Sequence, residues 1–353
     1  MQKGLKQEHL YNLYSNAPVF QLSESDKLVV FSDLHMGNGG LRDDFRKNAA
    51  LFEKALKEYY LPKGYTLILN GDIEELQRFR KRQIKKTYNS LYKIFKQFEE
   101  KGRFYKIIGN HDGIIANPAV SGFHGTYYHA VRFRYSCHTL FMFHGHQANL
   151  VLERLNGIVG IILKYIANPL GIRNLTYSTD NIKQFKIEQR VYKFSAHHKI
   201  VSLIGHTHRP LFESLSKVDS IRYRLEKLIR KYPKANAEKQ KLMRKEISLK
   251  KSELKGLTKK ERRRGKISSI YNSAVVVPCL FNSGCGIAKR GVTGIEINNK
   301  KIALVHWFDK KKSRKHLSGN SKKVKHLEET DYYKVVLKDD TLDYVFTRID
   351  LLS

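Results

Sequence analysis

The stretch LVVFSDLHMG, residues 28–37, decides the reading of the fold. A short apolar run stops abruptly at Asp33, with His35 two residues on. The same arrangement recurs at 65–72 (YTLILNGD) and at 104–112 (FYKIIGNHD). Each reads as a buried strand that ends in a polar loop. Between the first two lies 41–60 (LRDDFRKNAALFEKALKEYY), with apolar residues at helical spacing. Between the second and third lies 80–100, where Leu91, Ile94, Phe95 and Phe98 keep that spacing. Strand, helix, strand, helix, strand implies an α/β fold with right-handed parallel crossovers. Open sheets of this kind gather their polar site residues at the carboxyl ends of the strands.

Working outward, 131–135 (VRFRY) and 139–143 (TLFMF) read as a hairpin that ends at His144-Gly145-His146. Residues 200–204 (IVSLI) end at Gly205-His206-Thr207-His208. Residues 273–281, 292–297 and 301–307 alternate like sheet strands, with Gly284, Gly286, Gly291 and Gly294 as turn residues between or beside them. Two stretches break the pattern. Residues 150–172 are densely apolar, but their longest charge-free part is 155–163. That is far short of the roughly 20 residues a membrane span needs. It reads either as a lid or interfacial helix or as an ordinary buried helix. Residues 217–266 have the pattern of a helical hairpin. Val218, Ile221, Leu225, Leu228 and Tyr232 form one apolar seam, Pro233 breaks it, and Met243, Ile247, Leu254 and Leu257 resume it. The expected organisation is a core in two parts, 1–216 and 267–353, interrupted by the basic hairpin insertion 217–266.

The chain of 353 residues carries 66 Lys and Arg against 33 Asp and Glu, a formal charge of +33. Such an excess points to an anionic partner: nucleic acid, an acidic membrane surface or a polyanionic substrate. The segment 217–266 alone, with 20 basic and 6 acidic residues, supplies +14 of it. Residues 309–326 (DKKKSRKHLSGNSKKVKH) read as a mobile basic loop or tail segment. Cys137, Cys279 and Cys285 are scattered and odd in number, which excludes a disulfide framework and a cysteine zinc site. The first twenty residues lack the pattern of a signal peptide, so a cytoplasmic location is expected.

The strand ends carry, in chain order, Asp33 and His35, Asp72, Asn110 and His111, His144 or His146, then His206 and His208. Carboxylate, amide and imidazole are ligand types suited to Mn²⁺, Fe or Zn²⁺. A carboxylate shared by two ions holds them about 3.5–4 Å apart, a spacing that suits hydrolysis. His111 lies beside a ligand without needing to be one. It is a candidate proton donor to a leaving oxygen, with Asp112 to orient it. Singly, Asp-x-His reads as a cap, Gly-Asp as a turn and His-x-His as ambiguous. Their recurrence in this order, each just after an apolar strand, is what carries the chemistry.

The blocks SDLH (32–35), NGD (70–72), GNHD (109–112), HGH (144–146) and GHTH (205–208) resemble the signature blocks of the calcineurin-like metallophosphoesterase family. NSGCG (282–286) resembles that family's closing strand. The resemblance implies a four-layer αββα sandwich and a hydrolase that attacks a phosphate ester or anhydride with a hydroxide bridging two divalent ions, Mn²⁺ foremost. It also implies roles. Asp33, His35 and His208 would hold the first ion, and Asn110, His144 and His206 the second. Asp72 would bridge them and His111 would be the general acid. His144 is preferred to His146 because it comes first after the strand.

For the substrate, GHTHRP (205–210) together with the apolar 150–172 also resembles the branch that cleaves UDP-2,3-diacylglucosamine at a membrane surface. This chain differs from that branch in having His111 where the branch carries Arg, and NGDIEEL (70–76) as its second block. A nucleic-acid phosphodiesterase is the rival that the hairpin and the run Arg78, Arg80, Lys81, Arg82, Lys85, Lys86 suggest. A non-catalytic binding scaffold is the rival from another class.

Overall fold

The computed structural model describes residues 2–113, 126–149, 181–212, 277–313 and 324–353, and within the insertion residues 221, 224–225, 228–229 and 231–263. Among these, the strands form two sheets. The larger runs, in spatial order, β12 (Val324–His326), β13 (Tyr332–Thr341), β11 (Lys301–Asp309), β10 (Val292–Asn298), β2 (Leu28–Phe31), β3 (Thr66–Asn70), β4 (Phe104–Ile107) and β5 (Tyr127–Tyr128). The smaller runs β1 (Val19–Gln21), β6 (Ala130–Tyr135), β7 (His138–Phe143), β8 (Val201–Ile204) and β9 (Leu280–Asn282). β2 to β5 are parallel, and so are β7 to β9. The hairpin expected before His144 is present as the antiparallel pair β6–β7.

Side chains on a strand alternate between its faces, and here both faces are apolar. Phe31, Leu67 and Leu69 point to one core, against helices Ala49–Lys54 and Asn89–Glu100. Val30, Ile68 and Ile107 point to the other, where Val131, Leu140, Met142 and Leu203 of the smaller sheet meet them. On the far face of the smaller sheet, Phe141, Phe143 and Ile204 pack under Phe185, Val191 and Phe194 of the helix Asn181–His197. Three cores between four layers make the αββα sandwich. Each fully buried Phe, such as Phe31, Phe95 or Phe141, contributes about 1.5–3 kcal/mol over an exposed one.

Where the structure departs from the sequence reading, side-chain hydrogen bonds explain much of it. The helix expected from 41 begins at Arg46, in a 3-10 turn that leads into Ala49. Before that, the Asp43 carboxylate accepts the N–H groups of Gly39, Phe45 and Arg46 and holds a loop, as short acidic side chains do in competition with a helix. The helix expected over 80–100 is two, Lys81–Thr87 and Asn89–Glu100, joined at Tyr88, whose hydroxyl donates to that same Asp43. The last residues of the basic stretch 309–326 form β12 against β13 rather than a loop. β13 and the closing helix Leu342–Leu352 were not expected. Leu342, Val345, Phe346 and Ile349 of that helix join the inter-sheet core. The apolar segment 150–172 and much of the first arm of the hairpin lie outside the described residues. The second arm is the helix Ala237–Arg263. Arg224 meets Glu246 across the insertion at 2.8 Å. Among the described residues no helix is long and apolar enough to cross a membrane.

The two sheets are tied together at the strand ends. Asn70, wholly buried at the end of β3, donates from Nδ2 to the carbonyls of Phe143 (3.1 Å) and Leu203 (3.4 Å) in the other sheet. Ser32 and Ser283 hydroxyls meet at 2.7 Å across the same seam. Removing one partner of a buried hydrogen bond costs about 1–3 kcal/mol. Asn70→Ala should therefore lower unfolding stability by about that much in urea titrations, and a change under about 0.5 kcal/mol would show that these inter-sheet bonds contribute nothing.

Candidate metal centre

At that seam the carboxyl ends of β2, β3, β4, β7 and β8 converge. Asp33 and His35 follow β2, Asp72 follows β3, and Asn110, His111 and Asp112 follow β4. His144 follows β7, and His206 and His208 follow β8. The loops are bonded to one another: Asp33 N–H to Gly71 C=O (3.0 Å), His35 N–H to Asp72 C=O (2.9 Å) and Gly205 N–H to His144 C=O (2.9 Å).

Five of these residues, none of them glycine, sit in the left-handed region: Asp33 (φ 53°), His35 (φ 49°), Asp72 (φ 54°), His206 (φ 65°) and His208 (φ 54°). Each costs about 1–2 kcal/mol relative to ordinary backbone. Strain gathered on successive polar residues at one place is the mark of a functional constraint. The sequence packs glycines against them. A Cβ on Gly109 would fall 2.1 Å from Asp72 Oδ1, and one on Gly205 would fall 2.5 Å from Asp33 Oδ2. Gly71, itself at φ 81°, would collide with the His144 ring.

Among the described residues the side chains form three groups whose ligand atoms lie within 4.8 Å of one another: Asp33 with His35 and His208, Asp72 with His144 and His206, and His35 with Glu75 and His111. The first holds the three residues expected for one ion; the second holds His144 and His206 with Asp72, which was expected to bridge, and lacks Asn110. His208 Nε2 is 3.1 Å from Asp33 Oδ1, and His144 Nε2 is 3.0 Å from Asp72 Oδ2. The first two groups adjoin, since His35 Nε2 is 3.9 Å from Asp72 Oδ2 and His144 Nε2 is 3.9 Å from Asp33 Oδ1. His144 Nδ1 donates to the Asn70 carbonyl at 2.8 Å. That fixes the tautomer and, in the neutral ring, leaves an Nε2 lone pair facing a carboxylate oxygen. Two lone pairs at that distance need a proton or a cation between them. Asn110 Oδ1, in the loop after β4, is buried and has no hydrogen-bond partner among the described residues. The donor set thus fits metal ions, with second partners that orient the rings as ligating histidines require. His146 stands outside all three groups.

Charge in the site is balanced by the histidines. Burial pushes the carboxyls of Asp33 and Asp72 up, but His208 and His144 beside the first, and His144 and His111 beside the second, outweigh it and hold both below the usual range. Burial opposes a proton on His144, yet Asp72 and Asp33 raise it to about 9. Burial and the neighbouring His144 lower His206 to about 3. Asp112 is pushed up to about 6 by burial and by Asp72 and Glu74.

Glu75 was not foreseen. Its two carboxylate oxygens bond the Nδ1 atoms of His35 (2.9 Å) and His111 (2.8 Å). The orienting partner of His111 is therefore Glu75, and not Asp112 as the sequence suggested. Asp112 instead accepts the N–H groups of Gly109 (2.6 Å) and Ile73 (2.8 Å) and holds the loop itself. The signal available was a carboxylate three residues beyond Asp72. Glu188, on the helix Asn181–His197, was missed as well. It accepts from the Thr207 hydroxyl (2.8 Å) and pairs with Arg209, bracing the loop that carries His206 and His208.

The sequence profile of the calcineurin-like phosphoesterase family matches residues 27–236. The chain belongs to that family. Among solved structures it is similar to a conserved uncharacterised protein from Streptococcus pneumoniae, described as a predicted phosphoesterase, at 11% identity and TM-score 0.29, covering 80% of this chain and 89% of that one. It is also similar to vacuolar protein sorting 29 from Cryptosporidium parvum at 10% identity and TM-score 0.38, covering 90% and 98%. No curated protein matches it.

Burial works against a proton on His111, but Glu75 and Asp72 outweigh it and raise the ring to about 10, while His111 and His35 depress Glu75. The folded pKa of His111 lies above its ordinary 6.5, so in metal-free protein its contribution to stability is complete below about pH 6.5 and is lost as pH rises towards 10. The depressed Glu75 contributes above its ordinary 4.5 and loses that contribution as pH falls. The stability gap between chelator-treated parent and Glu75→Gln should be widest near pH 5.5 and close by pH 10. A gap independent of pH in urea titrations would refute the charge pairing.

Proposed function

We propose that this chain is a metal-dependent phosphoesterase that hydrolyses its substrate at a pair of divalent cations. The observation that carries the reading is the pairing of two adjoining clusters of potential ligands around the buried Asp33 and Asp72. Asp33, His35 and His208 hold one ion. Asn110, His144 and His206 hold the other. Asp72, with a histidine from each cluster within 4.0 Å, is shared. When bound, the ions supply a water nucleophile active near neutral pH and the positive charge that a phosphoryl group needs; Mn²⁺, Fe and Zn²⁺ all suit the donors.

The protein's own groups do the rest. His111 lies at the pocket wall, its backbone N–H on Asp72 Oδ1 (2.8 Å) and its Nδ1 on Glu75. With Nδ1 so engaged, Nε2–H is left to donate a proton to the departing oxygen. Glu75 holds the ring by one oxygen and His35 by the other, so the proton donor and a ligand of the first ion are fixed by one carboxylate. With a cation held at Asp72, less of that carboxylate's charge would be left to favour a proton on His111, which would shift it towards the range in which general acids work.

Asp72→Asn should abolish tight retention of metal and lower turnover of p-nitrophenyl phosphate or bis-p-nitrophenyl phosphate by about 10³-fold or more. Metal content by mass spectrometry and rate are measured on the same sample; unchanged metal with near-parental rate rules the assignment out. His111→Ala should retain metal and lose about 10²–10⁴ in rate, with a smaller loss for p-nitrophenol esters than for alkyl esters. Equal losses for good and poor leaving groups would remove the acid role.

A further inference from the structure

None of the cations that follow Glu75 is used in the chemistry above. Residues 76–98 contain no Asp or Glu, while Arg78, Arg80, Lys81, Arg82, Lys85 and Lys86 fall within 78–86. The structure starts this run in a turn that adjoins the loops of the metal centre. The N–H groups of Arg78 and Phe79 donate back to the Glu75 carbonyl at 3.2 and 3.0 Å, in a tight turn directly after the carboxylate that touches His35 and His111. Gln77 Nε2 donates to the Asn110 carbonyl at 2.9 Å, which ties the turn to the third ligand loop. On the other side Phe79 closes on Gly37, where an added Cβ would come within 2.8 Å of its ring. The turn is thus fixed between the loops that carry His35 and His111.

From there Arg80 leads into the helix Lys81–Thr87. Ile84 is its wholly buried residue. Arg82, Lys85 and Lys86, at i, i+3 and i+4, share the outward face, and they and Arg80 are exposed. Among the described residues none of these four charged groups pairs with a carboxylate. Like charges at this spacing repel and weaken a helix, so an anion from outside is what the arrangement lacks.

We infer that the Arg78–Lys86 segment is a second anion subsite, and that the substrate carries several phosphates in series, one at the Asp33–Asp72 centre and others along the helix Lys81–Thr87. This rests on the phosphoesterase reading above and names its substrate class. A linear polyanion fits better than a broad anionic surface, because the cations begin one turn from Glu75 and lead away from it along one loop and one short helix. Single-stranded nucleic acid and inorganic polyphosphate share that chemistry.

The test uses the full chain and the variant Arg80→Gln/Arg82→Gln/Lys85→Gln/Lys86→Gln, whose four sites are exposed and whose folding is checked by its melting temperature. Fluorescence anisotropy with a labelled oligothymidylate of about ten nucleotides should show binding to the parent and at least a tenfold rise in Kd for the variant. Single strands lose about 0.7 in the salt slope per phosphate contact, so the slope should fall by up to about 3. With Mn²⁺ present, the oligothymidylate and inorganic polyphosphate should also inhibit p-nitrophenyl phosphate hydrolysis by the parent competitively, and the stronger of the two identifies the source of the phosphates. Equal Kd for parent and variant, binding without competition, or binding to phosphatidylserine vesicles but to neither oligomer overturns the inference and leaves the phosphoesterase reading standing. Failure to hydrolyse p-nitrophenyl phosphate counts against that reading instead, and the anisotropy still decides the subsite.

Discussion

Two carboxylates with almost no exposure to water, Asp33 and Asp72, sit where the two sheets meet, and most of the molecule is arranged to keep them there charged. An isolated carboxylate at such depth would take up a proton. Here each receives backbone N–H groups and faces imidazoles. His206 N–H reaches both oxygens of Asp33 at 3.1 and 2.9 Å, and His111 N–H reaches Asp72 Oδ1 at 2.8 Å. Those donors come from loops after β8 and β4, one in each sheet. The bonds to Asp33 cross from one sheet to the other; that to Asp72 stays within the larger sheet, and its link to the smaller one is His144 Nε2, 3.0 Å from Asp72 Oδ2.

The same constraint explains the backbone. To bring five strand ends to one small volume, the chain must turn at once after each strand, and left-handed residues provide such turns. Glycine would be the cheaper occupant of those positions, but glycine has no ligand. The sequence places the side chain with the function on the strained residue and the glycine beside it, as in Gly71-Asp72 and Gly205-His206. The strain falls on the residues whose side chains are needed, and the small residues give their carboxylates and rings room to approach.

How much of this was legible in the sequence follows from which forces act locally. The strand ends were readable because an apolar run and the polar residue that stops it are neighbours in the chain. A division of these residues into two sets came only through the resemblance of the blocks; the structure gathers Asp33, His35 and His208 in one cluster and Asp72, His144 and His206 in another. Glu75 was not readable. It follows Glu74, and nothing in the sequence distinguishes them, yet the two turn to opposite partners. Glu74 is held by Lys106 Nζ at 2.5 Å and by the Tyr92 hydroxyl at 3.0 Å in the core, while Glu75 faces the histidines. Asp112 was assigned to His111 on adjacency, but adjacency in a tight loop favours bonds to the loop's own N–H groups. The helix at 41 was read too early because Asp43 counts as helix-compatible by pattern while its carboxylate holds a loop. These misses all concern polar side chains whose partners lie far along the chain or in the backbone.

The burial of acids also changes what the net charge means. Among the described residues eight Asp and Glu are buried, against two Lys, Lys106 and Lys334. Glu74 and Glu296 are the partners of those two lysines. Asp33, Asp72, Asp112 and Glu75 belong to the site and its loops, Asp43 holds the loop before the first long helix, and Glu188 braces the loop of His206 and His208. Among the described residues the interior thus takes more acid than base, which shifts the balance of charge on their surface further towards cations. Cations bound at the site would offset its carboxylates. A positive field concentrates phosphorylated molecules before any specific contact is made, and does so less as salt screens it. The composition of the chain and the chemistry of its centre are in this sense one property: acids are drawn inward to hold and orient the groups at the site, and the bases left outside are what brings a phosphate to it.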